Sequence, residues 1–291
     1  MRIKKNNDNQ AYLYILPAFL LSLVFIYYCI GFTFYSSFTD WDGMSKNMNF
    51  VGLKNYIKIF QDKTFYLAIK NNIIFFIGTV FIQAFLGFIL AVLIKEGLKF
   101  ANAFKTIYFF PIAMATSIIT GIFRIILNPT TGALNVMLKS LNLDFLAKSW
   151  LGNPDIALYA VIGVNIFQWM GFSMIIYYSS LMSIPEDIYE SASIEGASFF
   201  RVLYSITRPM VHSTTSLLII LGIVGSLKTF DIVKLLTNGG PGRSTTVLNT
   251  YLYEKAFSNF AAGEAATIGI FILVLALVMS YFQVVISKES D

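Results

Sequence analysis

The sequence predicts an all-α integral membrane protein with six transmembrane helices, and three observations carry that prediction. Apolar residues make up 56% of the 291, aromatic residues 16% and charged residues only 13%. An average soluble domain has roughly 45–50% apolar and about 25% charged residues, so a water-soluble fold of this composition would aggregate. The apolar residues also fall into separate runs long enough to cross a bilayer, which takes about 20 residues of helix. Between the fourth and fifth runs lies a polar island, residues 184–210, that is too polar and too broken to span.

The elements follow from these runs. Residues 1–10 are polar and basic, with Arg2, Lys4 and Lys5, and form the expected N-terminal tail. Tyr12 to Ser36 is then apolar for about 25 residues, too long for a signal-peptide core and without a small-residue cleavage site, and reads as a retained first span. Residues 37–70 read as a soluble loop in which Trp41 is an interfacial aromatic. A second span runs from Asn72 to Ile94, and the polar turn KEGLKFANAFK separates it from a third, Thr106 to Leu127. Residues 128–154 form a loop with the turn signals NPTTG and GNP. The fourth span is Ile156 to Met182, the fifth Val211 to Leu236 and the sixth Ala261 to Val285. The expected transmembrane domain is 11–286, with a coupling loop at 184–208 and a short tail at 287–291. Six spans place both termini on one side of the membrane.

Composition also excludes functions. The net charge is +5, but the lysines are scattered and no basic face with stacking aromatics stands outside the apolar runs, so nucleic acid is not an expected partner. One cysteine, Cys29, and one histidine, His212, allow neither a disulfide framework nor a Cys/His metal site within the chain.

The island reads IPEDIYESASIEGASFFRVLYSITRPM. Pro185 suits a first helical turn, and Glu186 and Asp187 place negative charge at the positive end of the helix dipole. Gly196 is a natural stop because it tolerates the left-handed conformation that ends many helices. Phe199, Leu203 and Ile206, at three- and four-residue steps, suggest a second helical face before Pro209. The pattern predicts a helix, a glycine turn and a second helix.

Glu190, Ala192, Gly196, Ile206 and Pro209 stand at the spacing E-A-A-x3-G-x9-I-x-L-P. With TNGGPG at Thr237 to Gly242, the chain resembles the permease subunits of binding-protein-dependent ABC importers, in their sugar-uptake branch. Ser191 replaces the second motif residue, Arg208 replaces the leucine, and Glu195 stands where sugar permeases usually carry aspartate. The resemblance covers nearly the whole chain. It implies that Glu190, Ser191, Ala192, Glu195, Gly196, Ile206 and Pro209 belong to a cytoplasmic loop that docks in a groove of an ATPase subunit. It further implies a second homologous permease, two ATP-binding subunits, an extracellular solute-binding protein, a carbohydrate substrate such as an oligosaccharide or related polyol, and a bacterial plasma-membrane location with both termini cytoplasmic. No cofactor is expected on this chain; ATP and Mg belong to the partner ATPase. GPGRST lacks the first glycine and the lysine of G-x-x-x-x-G-K-[ST], so it is not a phosphate loop.

Candidate substrate-path residues lie elsewhere. Asn165, Gln168 and Trp169 share one face of the fourth span. Amides in hydrocarbon must find partners, so this stripe faces a cavity or another helix. It offers a sugar an aromatic surface and amides; helix-to-helix hydrogen bonding is the alternative. Lys228, Asp231 and Lys234 recur at three-residue steps on the expected fifth span, where pairing is available within one turn; they read either as a substrate or gating contact or as a structural ion pair. Asn71, Asn72, Gln83 and Arg124 are further candidates for the same cavity.

Orientation by counting Lys and Arg runs against the usual inner excess. The basic tip before the first span and the motif resemblance both put the N-terminus in the cytoplasm. An ion-gradient-driven transporter or channel would need intramembrane acids, for which only Asp231 and Glu264 lie near spans. A membrane-embedded enzyme would need a His, Cys, Asp or Glu constellation that the runs lack.

Overall fold

The computed structural model describes the backbone from Asp8 to Glu289 and side chains from residue 14 to 285. Arg2, Lys4 and Lys5 lie outside the described residues. Fifteen α-helices occur there, and the only extended pairing among described residues is a single bridge between Thr39 and Phe50. In chain order the helices are α1 (Asp8–Ser22), α2 (Cys29–Ser36), α3 (Lys54–Gln61), α4 (Lys63–Lys95), α5 (Ala101–Ala113), α6 (Thr116–Ile126), α7 (Ala133–Ser140), α8 (Ala157–Met182) and α9 (Glu186–Ile194). They continue with α10 (Phe199–Val202), α11 (Arg208–Met210), α12 (His212–Leu227), α13 (Asp231–Leu236), α14 (Leu248–Tyr253) and α15 (Ala262–Glu289). Four stretches are long and apolar enough to span, Tyr14–Ser36, Lys63–Lys95, Ala157–Met182 and Ala262–Val285; two bent pairs raise the number to six if each pair is one span.

The chain divides into two compact units, residues 1–62 with 252–273 and residues 63–251 with 274–291. In the first, α1 and α2 are joined by a π-helical turn, Leu23–Tyr28, and none of the most apolar part of this span is buried. The helix α3 turns one face inward: the Asn55 amide donates to the carbonyls of Ser37 at 3.0 Å and Thr39 at 2.7 Å. Glu264, at the start of α15, is buried and pairs with Lys58 and with Lys255, the latter at 2.8 Å; Lys255 also stands 3.6 Å from Asp62. A buried carboxylate is tolerable only when so compensated.

In the second unit α4 and α8 pack along much of their length. The contact depends on small residues, as in membrane bundles where backbones must approach closely. A Cβ on Gly87 of α4 would come within 2.6 Å of the Ser173 Cβ on α8, and one on Gly171 of α8 would meet the Tyr108 carbonyl oxygen of α5 at 1.9 Å. Two apolar clusters fill this unit. One gathers Phe75, Ile119, Leu158, Val161 and Val233; the other, nearer the island, gathers Ala91, Val92, Met174, Tyr177, Leu181 and Ile184.

Four expected boundaries are corrected. The loop expected at 37–70 contains α3, and α4 begins at Lys63; near its start the Arg243 guanidinium donates to Thr64 Oγ1 at 2.9 Å and the Asn71 amide donates to Ser244 O at 3.0 Å. The third span is not continuous: α5 and α6 meet at 102°, with Met114 and Ala115 extended just after Pro111. The loop at 128–154 holds α7 and is closed by Asn135, whose amide donates to Pro129 and Lys148 carbonyls at 3.0 and 2.9 Å while its oxygen accepts from the Trp150 indole at 2.8 Å. The fifth span ends at Leu227 rather than Leu236, and α13 is a separate helix. A helix end leaves carbonyls without partners; here the Asn72 amide reaches Ser226 O at 3.2 Å and the Asn249 amide reaches Leu227 O at 2.6 Å, so the tertiary structure supplies the donors that a longer helix would have provided.

Candidate functional site

The island forms as a helix, a turn and a second helix. Pro185 precedes α9, with Glu186 and Asp187 in the first turn. Gly196 has φ +73°, and two bonds close the helix around it, Gly196 N–H to Ser193 O at 3.0 Å and Ala197 N–H to Ala192 O at 2.9 Å. That pair of crossing bonds with a left-handed residue between is the glycine stop expected from the sequence. The second helix runs α10, a π-helical turn Leu203–Thr207, and α11, then bends by 63° into α12. Pro209 lacks an N–H and its ring crowds the carbonyl four residues back, so a widened turn before it and a bend after it are the expected relief.

Packing divides the island into two faces. Ile184, Ala192 and Thr207 are buried. Glu190, Ser191, Glu195, Gly196 and Pro209 are exposed, Ile206 is half-buried, and beside them the large side chains of Ile194, Phe200 and Tyr204 stand 88%, 78% and 68% exposed. An exposed apolar cluster next to carboxylates, on the segment least able to enter a bilayer, has the makeup of a protein-docking surface.

A cavity of about 470 Å³ opens among α4, α6, α8, α12 and α13. All five path candidates, Asn165, Gln168, Trp169, Lys228 and Asp231, line it, with Gln83, Thr116, Phe172, Ser226 and Phe230. The Gln83 amide donates to Asn165 Oδ1 at 2.9 Å, and the Gln168 amide to Thr116 Oγ1 at 3.3 Å. The amides of the stripe bond between helices and also border open space. Trp169 is 41% exposed and sits edge-on to Phe172, their centroids 6.3 Å apart.

Five candidates behave differently from expectation. The helix breaks between Lys228 and Asp231, so the three-residue steps do not align them; among the described residues neither has an ion-pair partner within 4 Å. Asn71 and Asn72 do not line the cavity but hold residues 226–248. The Asn71 amide donates to Ser244 O and Thr246 O at 3.0 and 2.9 Å, and Asn72 Oδ1 accepts the Leu248 N–H at 2.7 Å. Arg124 is exposed on α6 and does not line the cavity. Thr116, Phe172, Ser226 and Phe230 were not singled out in the sequence. Thr116 and Phe230 lie at helix breaks that periodicity does not report.

The helical fold, with four to six stretches long and apolar enough to cross a bilayer and a cavity among the helices of the second unit, is that of a multi-pass membrane protein. Residues 73–290 match the family model described as "Binding-protein-dependent transport system inner membrane component", and the chain belongs to that family. It is 34% identical to a probable ABC transporter permease protein, YurN, of Bacillus subtilis, over 95% of this chain and 96% of the relative. It is 30% identical to the trehalose/maltose transport system permease protein MalF of Thermococcus litoralis, over 97% and 96%. A crystal structure of a bacterial alginate ABC transporter, in complex with an alginate pentasaccharide-bound periplasmic protein, contains a chain that superposes with a TM-score of 0.82 at 27% identity, covering 95% of this chain and 93% of that one. With Glu264 occupied by two lysines, only Asp231 remains of the two acids that an ion-coupled transporter would have used.

Proposed function

We propose that this chain is the permease subunit of an ATP-driven importer of a carbohydrate, an oligosaccharide or related polyol. The observation that carries the substrate class is the cavity, which sets Trp169 and Phe172 beside Gln83, Asn165, Gln168 and Asp231. A sugar needs apolar ring faces to stack and directional partners for its hydroxyls, and mostly apolar clefts with a few placed polar groups are the usual form of such sites. Relatives named for trehalose/maltose and alginate transport support the same class.

The island 184–208 is the coupling loop, facing the cytoplasm with both termini, and docks in a groove of one of the importer's two ATPase subunits, which use ATP and Mg. A second homologous permease completes the pore; the unburied first span and the lipid-length apolar surface of α15 leave room for it. An extracellular solute-binding protein delivers substrate; the structure of the alginate ABC transporter in complex with an alginate pentasaccharide-bound periplasmic protein supports this. Each conformation must be favoured by a different ligand for import to be driven, so nucleotide at one face and loaded binding protein at the other bias opposite states.

A tagged chain purified from native membranes is expected to bring an ATPase with it, and reconstituted vesicles are expected to take up labelled oligosaccharide only when ATP and the binding protein are both present. Uptake by the chain alone, or external labelling of a cysteine placed at Glu190, overturns the reading.

A further inference from the structure

We propose that Lys95 is a positioning residue that latches the coupling helix α9 to α4, through the ring of Tyr189. The proposal rests on the coupling role given above to the island. Helix α4 has 33 residues, about 50 Å of rod at 1.5 Å per residue. It carries Asn71 and Asn72 near one end, Gln83 in the cavity wall, and Lys95 in its last turn, just before Gly97 ends the helix at φ +88°.

The Lys95 ammonium stands 3.6 Å from the centroid of the Tyr189 ring. It is shielded from solvent, and none of its N–H groups meets an acceptor among the described residues. Lysines at helix ends normally extend their charge into water. An ammonium withdrawn from water with an aromatic face as its close partner is an interaction of high consequence, because the cation–π attraction is strongest when desolvated and only the negative end of the α4 dipole adds to it among the described contacts. Tyr189 directly precedes Glu190, and its hydroxyl lies 3.5 Å from Thr207 Oγ1 in the π-helical turn before Pro209. One ring therefore touches α4 on its face and the second half of the island at its tip.

The surroundings make the contact all-or-none. The void beside it, lined by Lys95, Glu96, Tyr189, Leu203 and Thr207, is about 20 Å³, space for a single water. At most one water can reach the ammonium while α9 stays seated on α4, far short of a full hydration shell. Displacing packed neighbours such as Val92 and Leu181 costs apolar burial, and the charge over the ring adds a penalty of its own. Motion of α9 is thus either carried into α4, and with it Gln83, or breaks the latch and lets water in.

The test uses the tagged chain purified with its partners from native membranes, in a Cys29→Ser background with Thr229→Cys as a reporter in the cavity wall. The readout is the rate of N-ethylmaleimide labelling without nucleotide and with MgATP–vanadate, alongside the amount of ATPase recovered. The unaltered latch is expected to give a rate change of roughly tenfold, and Lys95→Gln or Tyr189→Leu to bring it below about twofold with ATPase recovery unchanged. Lys95→Arg and Tyr189→Phe keep a cation and a ring and are expected to keep the response. A full nucleotide response in Lys95→Gln with ATPase bound overturns the latch. A response lost equally in Lys95→Arg and Tyr189→Phe overturns it too, as mere sensitivity of packing. Absence of any ATPase with the unaltered chain defeats the coupling reading itself, a separate and recognisable failure.

Discussion

Two polar segments interrupt the apolar sequence of the larger unit, and they are built in opposite ways. Residues 237–248 turn their polar groups inward: the Thr237 and Thr245 hydroxyls meet at 2.7 Å, Thr245 Oγ1 donates to Gly240 O at 2.9 Å, and Thr246 Oγ1 donates to Gly239 O at 3.1 Å. Asn71 and Asn72 then fasten this loop to α4, and Thr245 through Leu248 are buried. The island at 184–210 does the reverse. Its buried side is mostly apolar, while its carboxylates and the large side chains of Ile194, Phe199, Phe200, Tyr204 and Met210 face out. A segment most of whose buried polar groups find partners within the chain, Ser244 Oγ excepted, is largely finished as it stands, whereas one that presents carboxylates without an ion-pair partner among the described residues, beside exposed aromatics, is shaped for something outside the chain.

Substitutions can break that contrast from either side. The largest effect is expected at Gly196. Proline fixes φ near −65° and has no N–H, against the observed +73° and a bond to Ser193 O, so Gly196→Pro should destroy the turn between the island helices. Uptake is expected to vanish and ATPase recovery to fall to background, with the membrane level of the chain unchanged by immunoblot. Glu190→Lys should likewise abolish uptake. Because Glu190 is exposed, its replacement should shift thermal stability by no more than about 0.5 kcal/mol, which a melting measurement in detergent can check.

The inward-turned loop should show the opposite profile. Asn72→Ala removes the acceptor for the buried Leu248 N–H, which is left unpaired, and leaves Ser226 O to the Thr229 N–H at 3.3 Å. At roughly 1–3 kcal/mol for the orphaned group, the melting temperature should drop clearly while the capacity to capture ATPase, measured on the folded fraction, stays. Equal loss of capture in Asn72→Ala and Glu190→Lys would erase the distinction between the two segments. The smallest effect is expected for Asn165→Ala, which loses the 2.9 Å bond from Gln83, about 1 kcal/mol, and leaves one amide facing the cavity. Its signature should be a change in transport rate with substrate rather than in stability.

The island was legible because its signals are local. Pro185 before Glu186 and Asp187, the stop at Gly196 and the bend after Pro209 each follow from one residue's own backbone preference. The stripe Asn165, Gln168 and Trp169 was equally legible, since helical periodicity alone puts the three on one face. The fate of Lys228 and Asp231 was not. An unbroken apolar run from Val211 to Leu236 reads as one helix, and the donors that let it end at Leu227 come from Asn72 and Asn249, far away in the chain. Asn71 and Asn72 read as cavity residues for the same reason: the sequence shows that amides in a span need partners but not which partners they find.

By itself, then, the sequence determined that the chain is helical and crosses a membrane, because hydropathy and span length are properties of consecutive residues. It also marked residues 184–210 as too polar and broken to span and Gly196 as the residue that closes α9. Only the tertiary structure decided where spans break, which polar groups are spent on holding loops, and which are left at a cavity or a docking face. Those outcomes depend on hydrogen bonds between residues more than 150 positions apart, such as Asn72 with Ser226 and Leu248, which become available only once the helices have packed.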